Sequence, residues 1–214
     1  MASNPITNPV TFLGMDDFLA ISDSHNGLAK SCRYAARITP TGNLLAGYGN
    51  IMRDLTYLCE STEFPGRGLQ TVDVRYYGPS FKMPFNTQYE DINMTFLCRT
   101  QSFEREFFDD WIWIINPNNT FDFSYKSEYA SRIDIYQFSD LPSSNGENPK
   151  AEYYFSIEEA YPTLVNAQPV TWADDQFLRL GVTFTYRWWK RPNREPPVRG
   201  EGASASFQLT PRSS

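Results

Sequence analysis

From Asp91 to Arg99 the side chains alternate without a break. Ile92, Met94, Phe96 and Cys98 fall on one side, and Asn93, Thr95, Leu97 and Arg99 on the other. A period of two is that of a β-strand with one face on a core. The same alternation recurs at Cys32–Ile38 and at Ser131–Phe138, where Ile133 and Ile135 share a face. In Glu152–Glu158, Tyr153, Phe155 and Ile157 oppose Glu152, Tyr154, Ser156 and Glu158. In Leu178–Trp189, Val182, Phe184, Tyr186 and Trp188 oppose Thr183, Thr185, Arg187 and Trp189. Residues 53–99 read throughout as strands joined by long connections. Among them, Leu69–Tyr77 and Ser80–Phe85 pair as a hairpin across Gly78-Pro79, since Gly admits positive φ and Pro fixes its own.

One segment keeps the helical period instead. Phe103, Phe107, Trp111 and Ile114 or Ile115 recur at three- or four-residue spacing, which puts them on one helix face. Phe107, Trp111 and Ile115 are the expected anchors of that helix on a sheet. Ser102 is placed to cap the first turn, Glu104 and Glu106 lie near the positive end of the helix dipole, and Asn116-Pro117 ends it. Residues 1–30 form a leader with a short amphipathic stretch near Met15–Ile21. Pro40–Asn50 reads as a loop. The fold class is mainly β: an antiparallel sandwich or half-barrel with one flanking helix. Residues 31–189 make the β domain, and residues 190–214 form a Pro- and Arg-rich extension.

Composition sharpens this picture. Aromatic residues make up 16% of the 214 residues, which favours strands. The net charge is −6, and no basic patch is present that would grip phosphates. The charge is unevenly spread. Residues 190–214 hold five basic and two acidic residues, a net +3, so the remainder carries −9. This extension is too polar to fold alone, because ordering each residue's backbone costs roughly 1–2 kcal/mol. Complementary charge would draw it to a neighbouring subunit's acidic surface as a strap, with Phe207 and Leu209 as its apolar anchors. Three cysteines, Cys32, Cys59 and Cys98, occur without a CxxC. That argues against a disulfide scaffold or zinc site, and Cys98 is expected to be a buried free thiol. No apolar run approaches the ~20 residues that span a bilayer, and Met1–Val10 is unlike a secretory signal.

Candidate chemistry is sparse. His25 is the one histidine, in a turn-like Asn26-Gly27 context, so a catalytic triad would have to use it. The acidic pairs Asp16-Asp17, Asp109-Asp110, Glu158-Glu159 and Asp174-Asp175 need no explanation beyond surface charge. No phosphate-binding loop or HExxH occurs. No catalytic, metal or cofactor site is expected. Trp188-Trp189 and Tyr76-Tyr77 raise a carbohydrate-binding sandwich as a rival from another class. The plainer expectation is that alternate members of each pair enter the core.

Three segments in order resemble the tail-tube family of contractile-tailed phages. The first runs from LCESTEFPGRG at Leu58–Gly68 through RYYGP at Arg75–Pro79 and MPF at Met83–Phe85 to INMTF at Ile92–Phe96. The second is FFDDWIWII at Phe107–Ile115, followed by Tyr125, Tyr129 and the IDI strand at Ile133–Ile135. The third is EAYPT at Glu159–Thr163 with VTFTYR at Val182–Arg187. The match covers roughly residues 28–190.

The resemblance implies a structural, non-enzymatic subunit. Six copies would close into a ring whose inner strands form one barrel, and rings would stack into a hollow tube inside a contractile sheath. The tube would conduct tape-measure protein and then DNA, without specific DNA binding. Expected partners are the chain itself, the sheath, and the baseplate and terminator proteins. The location implied is a virion tail assembled in the host cytoplasm. A tube-initiating baseplate subunit or the inner tube of a type VI secretion system would share this fold. Glu152, Tyr154, Ser156 and Glu158, beside Thr183 and Thr185, form either the duct lining or an outer solvated face. Phe64, Pro65, Gly66, Tyr77, Gly78 and Pro79 are the expected contacts between rings, within residues 61–86.

Overall fold

The computed structural model describes residues 28–40, 48, 51–139, 151–173 and 175–192. The leader stretch near Met15–Ile21, His25, most of the Pro40–Asn50 loop, the Glu152 side chain and the tail anchors Phe207 and Leu209 lie outside the described residues. In chain order the elements are β1 (Tyr34–Thr39), α1 (Ile51–Leu58), β2 (Cys59–Thr62), β3 (Arg67–Val74), β4 (Phe81–Tyr89) and β5 (Ile92–Leu97). These are followed by α2 (Phe103–Ile115), α3 (Lys126–Tyr129), β6 (Ser131–Phe138), β7 (Ala151–Val165), β8 (Arg179–Thr185) and β9 (Trp188–Lys190). Contacts divide the chain into a unit of Met1–Tyr34 with Gln137–Glu152 and one of Ala35–Tyr136 with Tyr153–Ser214. In the first, the Phe138 N–H donates to the Arg33 carbonyl at 3.0 Å.

The second unit is mainly β and antiparallel. Its main sheet runs β1-β6-β7-β8-β5-β2, with β9 beside β7, while β3 and β4 form a separate two-stranded hairpin. Inside the sheet lies the β5–β8 pair, in register from Ile92 opposite Phe184 to Leu97 opposite Arg179. The alternation read in the sequence is visible here. Ile92, Met94 and Phe96 of β5 are buried on the same face as Leu180, Val182 and Phe184 of β8.

Helix α2 covers that face. Phe96 and Phe184 meet Phe108 at centroid distances of 5.1 and 6.0 Å, and Trp111 reaches Phe184 at 6.0 Å. Phe107 packs on Trp111 at 5.6 Å. The indole N–H of Trp111 donates to the Tyr129 carbonyl at 2.9 Å, so its polar edge is satisfied inside the core. Of the three expected anchors, Phe107 and Trp111 are fully buried and Ile115 is half-buried. Phe103, expected on the same stripe, is exposed, and Phe108 is buried in its stead. The inward stripe is therefore 104, 107, 108 and 111, shifted one position around the helix.

The shift also brings an acidic side chain inward. Glu104, fully buried, accepts from the Arg99 backbone N–H at 3.1 Å and its Nε at 2.6 Å. Arg99 also donates to Asp54 on α1 at 2.7 Å. A buried carboxylate is tolerated only when paired in this way. Ser102 stands at the helix start, yet its side chain makes no cap. It takes the left-handed conformation, φ 52°, and its carbonyl accepts the N–H groups of Arg105 and Glu106 at 3.0 and 3.2 Å.

Four further expectations are corrected. Residues 51–58 form helix α1, not strand, with Leu55 as its buried residue; two turns are too few for the helical period to stand out. Cys98 is half-buried, while Cys59 is the buried thiol, pushed up to about 12 by burial. The strand read at Leu178–Trp189 ends at Thr185, and Trp188 is exposed rather than in the core. Tyr76 and Tyr77 are both exposed, because they lie in the hairpin turn beyond the reach of any core.

Replacing Trp111 with Ala should lower stability by about 3–5 kcal/mol, read as a fall in thermal midpoint. Phe103→Ala should leave the midpoint within the scatter of surface substitutions.

Candidate functional site

Because α2 seals one face of the β5–β8 pair, the other face is left open and polar. Its side chains form hydrogen-bonded rungs across strands. Thr183 Oγ1 donates to Asn93 Oδ1 at 2.8 Å, and the Asn93 backbone N–H donates to Glu63 at 3.2 Å. Thr185 Oγ1 donates to Asp91 Oδ1 at 2.6 Å. At the far end of this face Arg179 meets Glu60 in a two-pronged pair at 2.6 and 3.0 Å, which holds the Glu60 carboxyl below its usual range. Glu63 and Asp91 thus give the face an acidic end.

Of the expected lining residues, Thr183 and Thr185 lie on this face. Tyr154 and Glu158 are on neither β5 nor β8. They stand on the first half of β7, which pairs with β9, whereas the second half pairs with β8. Between the halves, Glu159 has φ 55°, and the buried positions shift by one residue there, from Phe155 and Ile157 to Ala160 and Pro162. Lys126 and Arg187 hold that residue through ion pairs of 2.7 and 2.9 Å, keeping the Glu159 carboxyl below its usual range. Glu158 is paired with Lys190 at 2.7 Å. Ser156 is fully buried, with its hydroxyl 3.4 Å from Glu158, so it exposes nothing that could line a duct. The sequence reading missed Glu63, Asp91 and Asn93. The same alternation that buries Ile92 and Met94 puts Asn93 on the open face.

Two further features have the character of assembly surfaces. In the subunit the described sheet does not close on itself: its outer strands are β1 and β2. The β3–β4 hairpin stands apart from the core, with Leu69, Val72, Phe81, Met83 and Phe85 all exposed and Tyr77 98% exposed. Val72 pairs with Met83 and Val74 with Phe81, so these four share one face. Near the root the hairpin is polar, with Gln70 bonded to Gln88 and Asn86 at 2.8 and 3.2 Å.

The expected contact residues divide accordingly. Tyr77, Gly78 and Pro79 are exposed at the hairpin tip. Pro65 is buried, and the Gly66 carbonyl accepts from Tyr186 Oη and Trp189 Nε1, both at 3.3 Å. Phe64 rests on Phe155 at 5.1 Å. This corner is fastened within the subunit. Trp189, not Trp188, turns inward here, against Phe155 at 5.3 Å. Among the described residues no three His, Cys, Asp or Glu side chains converge as metal ligands do.

An antiparallel sheet with one sealed face and one polar face, bounded among the described residues by β1 and β2 and carrying a protruding hairpin, has the character of a structural subunit. The chain belongs to the phage tail tube protein family, whose profile matches residues 29–192, and is a structural tube subunit of a tail. Its fold is similar to a chain of the sheath-tube complex of an extracellular contractile injection system, PVC, in the extended state. That match has 15% identity and a TM-score of 0.53, over 77% of this chain and 90% of the other. A chain of the anti-feeding prophage tube-terminating cap is similar at 13% identity and TM-score 0.53, over 77% and 90%. A chain of that prophage's baseplate is similar at 12% and 0.51, over 77% and 95%. No curated protein sequence matches this one.

The corner at Gly66 has a pH signature. Burial pushes the Tyr186 hydroxyl up to about 12, against about 10 when unfolded. Its contribution is therefore complete below pH ~10 and is lost as pH rises through about 12, since the unfolded chain loses the proton first. Denaturation midpoints should fall over this window, and fall less in Tyr186→Phe.

Proposed function

We propose that six copies close side by side through the β1 and β2 edges into a ring, and that rings stack into a hollow tube conducting tape-measure protein and DNA. The observation that carries this reading is the contrast between the two faces of the β5–β8 pair. A sheet with an aromatic seal outside and polar rungs inside suits a barrel wall around an aqueous lumen. Joining edge to edge removes unpaired strands, which otherwise promote uncontrolled pairing. The edges that meet are different ones, so the contact is heterologous and closes only at a fixed rotation.

The lining in this reading is Thr183 and Thr185 with Asn93, Asp91 and Glu63, and at its far end Arg179, whose charge Glu60 neutralises. A ring of six would carry a formal −36, six times the chain's −6. A conduit for DNA should not hold phosphate, and carboxylates with hydroxyls meet that need where Lys or Arg would add affinity. The hairpin supplies contact between rings. A lone two-stranded hairpin is at best marginally stable in water, and its apolar face is satisfied by a neighbouring ring. The sheath, baseplate and terminator named for the structurally similar complexes are the partners this reading assigns, with contraction driving genome ejection as in a myovirus tail.

Negative-stain imaging of the purified protein should show six-fold rings or hollow rods. A monomer persisting at high concentration would exclude the reading. The double variant Glu63→Lys, Asp91→Lys should still form rings but slow DNA passage through isolated tubes, measured by release kinetics. Unchanged release would remove these residues from the lumen.

A further inference from the structure

Resting on the stacked-ring reading, we propose that the β7–β8 loop, residues 166–178, is the acceptor for the β3–β4 hairpin of a second copy in the adjacent ring. The strand registers put the two features at opposite ends of the same sheet. Ile92 at the start of β5 pairs with Phe184 near the end of β8. The hairpin returns to the sheet at Tyr89, three residues before Ile92. Leu97 at the end of β5 pairs with Arg179 at the start of β8, and the loop runs directly into Arg179. Subunits stacked head to tail therefore bring the hairpin of one toward the loop of the next.

The loop is built to present an apolar tip. Its base is fastened at three points. The Asn166 N–H donates to the Gly181 carbonyl at 2.9 Å, Arg105 Nη1 donates to the Asn166 carbonyl at 3.1 Å, and Gln168 Nε2 donates to the Arg179 carbonyl at 3.0 Å. Beyond that base, Val170, Trp172 and Phe177 are exposed, Trp172 completely. Pro169, Val170, Phe177 and Leu178 line a recess of about 430 Å³ together with Thr171, Gln176 and Arg179, whose charge Glu60 pairs. A fastened base spends little entropy on docking, and an exposed Trp beside a recess has the character of an interface anchor.

Charge selects the occupant. The distal hairpin carries Arg75 and Lys82 against Asp73, whereas the loop carries Asp174 and Asp175 and no basic residue. An apolar, basic hairpin thus faces an apolar, acidic loop. Donor and acceptor are different surfaces, so the contact repeats in one direction without closing, as a filament requires. It also leaves each terminal ring with one unpaired kind of end.

The test measures ring formation and tube formation separately, with circular dichroism to verify folding. In Val170→Ser, Trp172→Ala, Phe177→Ser, rings should persist, while the protein concentration needed for tubes rises by roughly thirtyfold, the scale of losing a buried interface anchor. Arg75→Glu with Lys82→Glu, and separately Asp174→Arg with Asp175→Arg, should each weaken stacking at low salt. The four changes together should restore it. Tubes unaffected by the loop substitutions, or the absence of charge-swap rescue, would overturn the hairpin-to-loop pairing and leave the tube reading standing. Wild-type protein that never forms rings or tubes would overturn the tube reading and this inference with it.

Discussion

One helix seals only one side of a sheet, and the rest of this structure depends on that constraint. The ring cluster of Phe96, Phe108, Trp111 and Phe184 commits one face of β5 and β8 to the core. Alternation then forces Asn93, Thr183 and Thr185 to the other face, where no second layer of this chain is needed because their groups bond one another. Burying aromatic surface is the main favourable contribution here, and the Arg99–Glu104–Asp54 network satisfies the one carboxylate that α2 buries with it. A polar open face is the geometric consequence of an aromatic seal on the opposite one.

What the subunit leaves unfinished follows the same logic. Strands β1 and β2 lie at the ends of the sheet, and the hairpin carries apolar side chains away from any core. Each is a cost for an isolated monomer, and in the proposed ring and stack a second copy removes it. The corner around Gly66, in contrast, is finished internally by Tyr186 and Trp189. The segment 61–86 therefore contains both an anchored base and an unanchored end.

Much of the fold was legible in the sequence because period and face are local properties. Ile92, Met94 and Phe96, the hairpin across Gly78-Pro79, and the burial of Phe107 and Trp111 all follow from spacing alone. The failures are long-range. Nothing near Glu104 announces that it will lie inward, paired with Arg99, so Phe108 could not be preferred to Phe103. The positive φ at Glu159 shifts the alternation along β7 by one residue, so no single period runs from Ala151 to Val165. The exposed Trp188 and buried Ser156 fail for a related reason: β9 folds back on β7 after a break that the apparent alternation concealed. The family resemblance was carried by short motifs in order, whereas the polar rungs were visible only once β2, β5 and β8 were side by side.

The most direct test is amide hydrogen exchange of the same protein as dilute subunit and as concentrated assembly. Amides of β5 and β8 should be protected in both states. Those of β1, β2 and the β3–β4 hairpin should exchange fast in the subunit and become protected only on assembly. Protection of both edges and the hairpin in a protein that remains monomeric would contradict completion of the fold by neighbouring copies.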